Sequence, residues 1–223
     1  MGLWPVISLT LQLAAITTVI LMTFAMPLAW WLATTRSRVR PLIEAVTSLP
    51  LVLPPTVLGF YLLILMSPES TLGGLWVTAT GESLTFSFSG LVIASLFYSL
   101  PFAVQPLQTA FMAVPRTTVD AARTLGATSR DAFFSITLPL ARRGFLTASV
   151  LTFAHTIGEF GVVLMVGGNI PGRTRVISIE IFTAVETLDY ATAHVLSAGL
   201  LIFSIVVLTV VYTLNRGGGA RVG

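Results

Sequence analysis

Cysteine and lysine are both missing from this 223-residue sequence, and charge of either sign is scarce. Without cysteine there are no disulfides and no thiolate metal sites. Without lysine there is no glycine-rich phosphate loop of the G-x-x-x-x-G-K-[ST] type, so the chain does not bind ATP in that way. Only 9% of the residues are charged, where a soluble domain carries roughly 25%; such a surface does not dissolve in water. No arginine precedes Arg36. The charged n-region of a cleavable signal is therefore absent, and the first apolar run is expected to remain as a membrane helix. A clustered acid, base or metal set is lacking too, since His155, Glu159 and His194 form no recognisable catalytic group. No long internal repeat or disordered linker is present, which weighs against an ion-coupled secondary transporter.

What is there is apolar: 55% hydrophobic residues and a mean hydropathy of +0.92. Runs of about 20 such residues cross a bilayer as helices, whereas barrel strands would alternate. The expectation is a single all-α membrane domain over residues 1–223, with five spans near 6–33, 42–66, 90–114, 144–168 and 191–214. Pro27 is expected to loosen the end of the first span, and Trp30 and Trp31 suit a membrane interface. The second span carries LPLVLPP, with Pro50, Pro54 and Pro55, and must be kinked or broken. The third carries Pro101 and Pro106; the proline-broken second and third spans are read as places to absorb bending, with a merely structural role of their prolines as the alternative. Residues 67–89 read as an outer loop. Residues 176–190 have helical spacing but too little length, and are placed as an interfacial or re-entrant helix on the outer side. The twelve basic residues are all arginine, ten on one side of this arrangement and two, Arg173 and Arg175, on the other. The positive-inside rule then puts the N-terminus outside and Arg216 and Arg221 in the cytoplasm.

The polar island at residues 120–139, DAARTLGATSRDAFFSITLP, is the conspicuous interruption. It reads as two short helices broken at Gly126 and stopped at Pro139. Thr117 precedes Asp120 in a capping-box-like spacing. Gly126 suits the left-handed residue after a helix. Thr128 or Ser129 caps the second helix, with Asp131 in its first turn. Phe133, Phe134, Ile136 and Leu138 follow as an apolar patch. Physics alone leaves two readings equal, helices lying on the bundle or a surface made for another protein.

Asp120-Ala121-Ala122, then Gly126, then Ile136-x-Leu138-Pro139 resembles the "EAA" signature of ABC-importer permeases, with Asp in place of Glu. Residues 49–63, 123–140 and 157–175 resemble the molybdate-transport permeases of that family, and share much with the sulfate-transport permeases. The resemblance implies the type I importer transmembrane fold, with a cytoplasmic coupling-helix pair at about 115–143. It implies a homodimer in a bacterial or archaeal cytoplasmic membrane, two ATPase subunits inside and a binding protein outside. ATP and Mg would sit on the ATPases, and no cofactor on this chain; nucleic acid is not an expected partner. Asp120, Ala121, Ala122, Gly126, Ile136, Leu138 and Pro139 would then couple to the ATPase.

Pro54, Pro55, His155, Gly158, Glu159 and Gly161 are the candidate gate or pathway residues, and Arg173 and Arg175 candidates for docking the binding protein. His155 and Glu159 are four apart on one helix face and are able to pair. The spans offer almost no cation to a dianionic oxyanion, so a low-affinity passage is expected. Sulfate and tungstate remain alternative cargoes.

Overall fold

The computed structural model describes residues 3–216, so Arg221 lies outside the described residues. The regular structure described is helical. α1 (Trp4–Thr34) is one continuous helix, and Pro27 does not end it. α2 (Arg40–Ser48) and a 3-10 turn lead to α3 (Pro55–Met66), and the chain turns by 107° between them. That is the break expected from Pro54 and Pro55: Pro54 is extended, and Pro55 occupies a first-turn position where its missing N–H costs nothing. α5 (Phe88–Met112) is unbroken, with Pro101 and Pro106 both inside it, where the sequence suggests a third span broken by its prolines. Its buried face, including Leu91, Val104 and Leu107, packs on α1 and stabilises it against both prolines.

Two further expectations are corrected. Residues 67–89 are not all loop: α4 (Thr71–Thr80) is a helix whose start is capped by Ser70, which accepts the Gly73 N–H. Here the local cap decides the structure over a glycine pair that favours a loop. The island is not stopped at Pro139 either. α6 (Arg116–Thr124) ends before Gly126. α7 (Ser129–Ala132) instead runs through five π-helical residues, Phe133–Thr137, into α8 (Leu138–Gly158). Pro139 falls in the first turn of α8, and the wider π turn before it accommodates a residue that cannot donate.

α8 and α9 (Gly161–Gly167) meet at a 60° bend, so the fourth apolar run is broken at Glu159 and Phe160 and not continuous. α10 (Ile177–Glu186) is a helix of ten residues, packed on α1, α8 and α11 (Tyr190–Arg216). Among the described residues three helices, α1, α5 and α11, are long and apolar enough to cross a membrane. The total reaches five if each bent pair counts as one span. α1, α5 and α8 form the central layer, around Leu21, Ala25, Ala103, Leu107 and Ala148. α3 and α9 pack beside it, with Gly59 so close to Met165 that a Cβ there would lie 2.7 Å from that residue's Cβ. α11 is the outlier: only 11% of its apolar window is buried, as suits a helix solvated by lipid.

Candidate functional site

The α6–α7 corner is built from local bonds. Pro115 is the residue before α6, and no side chain caps that helix, which corrects the Thr117 cap. The helix starts two residues earlier than expected, after the proline, and Asp120 moves from the first turn to the second. At the other end Gly126 has φ +94°, the Ala127 N–H bonds to the Ala122 carbonyl and the Gly126 N–H to that of Arg123. These two bonds form a Schellman motif and close the exposed carbonyls of α6. Thr128 then starts α7 with a full capping box. Its hydroxyl accepts the Asp131 N–H, and the Asp131 carboxylate accepts the Thr128 N–H at 3.1 Å. The Thr128 hydroxyl, and then its N–H, hold the Asp131 carboxyl below the ordinary carboxylate value.

The corner presents Ala121 and Gly126 outward, with Ala122 half-buried. Leu125, at the tip, is 90% exposed. Sequence reasoning passed over Leu125; its signal is an apolar residue placed directly before a left-handed glycine in a polar stretch. Phe134 is exposed too, while Phe133 is folded inward, edge-on to Trp30 at 5.1 Å. Ile136 and Leu138 are half-buried and Pro139 is exposed. Behind α6 lies a cavity of about 650 Å³, lined by Arg36, Arg40, Arg116, Arg123 and Asp120 among others.

The second cluster sits at the α8–α9 bend. His155 and Glu159 do not pair, contrary to the expectation from their spacing: the only ion pairs among the described residues are Arg40–Glu44 and Arg175–Glu180. The helix ends between them and sends the two side chains different ways. His155 Nδ1 lies 3.0 Å from the Ser99 hydroxyl, and its ring stacks on Phe102 at 3.8 Å between centroids. Ser99 also bonds to Thr156 at 3.0 Å. Glu159 is 3% exposed, and neither carboxyl oxygen has a hydrogen-bond partner. Ser95, also buried and unpartnered, faces it from α5 just outside bonding geometry. The Glu159 carbonyl, released by the break, accepts from Ser178 of α10. A second cavity, of about 560 Å³, opens beside this elbow, lined by Pro55, Tyr98, His155, Gly158, Glu159 and Gly161 among others. The structure thus brings Pro55, on α3, to the expected Gly-Glu-Phe-Gly run. A Cβ on Gly161 would lie 2.7 Å from that of Pro55. Pro54 is exposed at the start of α3 and does not line the cavity.

Arg173 and Arg175 lie apart from both clusters. Their turn is held by Thr174, which is fully buried, accepts the Ile170 N–H and donates to the Gly167 carbonyl. Arg175 is tied to Glu180 at 3.3 Å and to Asn169. Arg173 is exposed. A polar tie that the sequence did not reveal joins α2 to α5, where Gln108 donates to Glu44 at 2.7 Å and Gln105 to Ser48 at 3.2 Å.

Comparison with known proteins matches residues 25–222 to the family described as "Binding-protein-dependent transport system inner membrane component". Over 210 residues the chain is 55% identical to the molybdenum transport system permease protein ModB of Azotobacter vinelandii, covering 94% of this chain and 93% of that protein. It is 32% identical over 199 residues to the sulfate transport system permease protein CysT of Escherichia coli K12, covering 89% and 72% respectively. In fold it resembles a chain of the MetNI methionine ABC transporter in an inward-facing crystal structure, with a TM-score of 0.72 and 16% identity over 97% of this chain and 94% of that one.

Proposed function

We propose, for a chain that belongs to the family of binding-protein-dependent transport system inner membrane components, that it is the permease subunit of an ABC importer for molybdate. The observation that carries the reading is the 55% identity with a molybdenum permease over nearly the whole of both chains. Family membership makes the chain a multi-pass inner-membrane component of a binding-protein-dependent system.

Two copies form the pathway about a two-fold axis, because one copy has too few spanning helices to enclose a channel. The excess of arginine around α6 and α7 puts that corner in the cytoplasm and the N-terminus outside. There the corner docks into a cleft of an ATPase subunit, which holds ATP and Mg. Small Ala121 and Ala122 allow close approach, Leu125 supplies an apolar anchor, and the Schellman turn and capping box make the corner rigid enough to transmit force. Asp120 contributes a charge at the wall of the cavity behind the corner. Ile136, Leu138 and Pro139 carry the motion from α7 into α8. Arg173 meets the external binding protein, with Arg175 fixing the shape of its turn. The anion passes the elbow near Pro55, His155, Gly158, Glu159 and Gly161, with Pro54 at the hinge before α3.

The test is competition among oxyanions for ATP-dependent uptake into vesicles holding the whole complex. Tungstate, matching molybdate in charge and nearly in size, should compete at equal concentration; sulfate should not compete even in large excess. Equal competition by sulfate would assign the chain to sulfate. Uptake that survives without ATP but collapses with the ion gradient would overturn the importer reading.

A further inference from the structure

We infer that Glu159 is a proton-binding site at the elbow between α8 and α9, and that the proton holds its side chain in the core, out of the path of the anion.

The carboxyl group is buried with both oxygens unpartnered, and the one hydroxyl facing it, on Ser95, is unpartnered as well. An ionised carboxylate out of water needs a positive charge or several donors. Among the described residues no cation forms an ion pair with it. No arginine lies between Arg143, near the far end of α8, and Arg173, beyond α9, and none lines the cavity beside Glu159.

The titratable groups on the elements packed around it do not help. Tyr98 of α5 and His155 of α8 share its cavity, and His155 is engaged by Ser99. Glu180 of α10 is held by Arg175, and His194 of α11 is exposed. α1 and α9 have no titratable side chain. The compensating charge must come from solution. Two carboxyl oxygens and one hydroxyl are too few for a hard metal cation, which takes about six oxygens; among the described residues no group of acids and histidines is able to hold a metal. A proton needs only the carboxylate.

The location gives the proton a consequence. Glu159 is the residue at which α8 ends, and the elbow it forms is a wall of the cavity lined by Pro55 and Gly161. Loss of the proton would leave a charge that the core cannot hold, and the side chain would swing into the cavity. An anion passing there would meet a negative charge. Transport is therefore supported by the protonated form and falls as pH rises through the titration of this group.

This consequence rests on the permease reading, but the proton itself is readable without transport. Infrared spectroscopy of the purified complex at neutral pH should show a protonated-carboxyl band that Glu159→Gln removes and alkaline titration abolishes. In vesicles, wild-type molybdate uptake should fall at least about fivefold from pH 6.5 to 9. Glu159→Gln, close in shape and permanently neutral, should show a flat uptake profile from pH 6.5 to 9, whatever its level at pH 6.5. The inference is overturned by a wild-type spectrum without that band, by a Glu159→Gln profile that follows the wild type, or by a response to sodium in place of pH. A complex that shows the band and its titration but takes up no molybdate at any pH would sustain the proton site and sink the permease reading instead.

Discussion

Two polar regions interrupt an otherwise apolar molecule, and they are built in opposite ways. The α6–α7 corner satisfies its polar groups within a few residues. Ala127 bonds to Ala122, Gly126 to Arg123, and Thr128 to Asp131. The α8–α9 elbow satisfies them across the fold, through Ser99 with His155 and Ser99 with Thr156, at separations of 56 and 57 residues. At Glu159 it leaves them unsatisfied. The first region is exposed and rigid by itself, as a surface that pushes on a partner requires. The second is buried and depends on the packing of three helices, as a part that changes shape requires. If the proposed function holds, force would enter at the corner and be used at the elbow, with α8 joining them.

The largest effect should come from closing the elbow. Gly161→Leu places a branched side chain where even a Cβ lies 2.7 Å from Pro55. Uptake should drop at least tenfold while the complex still assembles with its ATPase, because the corner is untouched. Loss of assembly along with uptake would mean that the two regions are not separable. The smallest effect should come from the corner's cap. Thr128→Ala removes one side of the capping box, worth about 1 kcal/mol for a typical helix cap. Faster amide exchange at Asp131, with uptake reduced only a few-fold, is the expected result. The Asp131 carboxyl has a depressed pKa, so its half of the box is present at neutral pH and is lost as pH falls through that pKa. In the wild type the protection of the Thr128 N–H, which that carboxylate accepts, should fall in acid once its exchange is corrected for the intrinsic rate at each pH. An exchange rate unchanged by the substitution would contradict the local origin of the corner's rigidity.

The same contrast explains what was legible in the sequence. Gly126 and the Thr128–Asp131 cap are short-range chemistry and stand where their spacing puts them. Pro54 and Pro55 break the chain as their missing donors require. Pro101, Pro106 and Pro139 do not, because packing of α5 and the π turn before α8 overcome a local preference. Spacing alone suggested a His155–Glu159 pair, which assumed a helix that in fact ends between them. Ser99, Ser95, Gln108 and the buried Thr174 gave no signal, since each acts through a neighbour or packing that spacing does not reveal. Leu125 is readable in principle, but in the sequence it resembles any apolar residue, and only its 90% exposure sets it apart.

The absences that open the sequence also supply the most direct test of the central claim, that the α6–α7 corner grips an ATPase. The chain has neither cysteine nor lysine, so a single introduced cysteine is unique, and apart from the α-amino group no amine of its own competes. A thiol-to-amine cross-linker carried by Leu125→Cys in the assembled complex should couple this chain to the ATPase subunit. The same reagent on Arg173→Cys should not, and should instead reach the binding protein when that is added. Coupling of the ATPase from position 173 and not from position 125 would contradict both the docking surface and the orientation in the membrane.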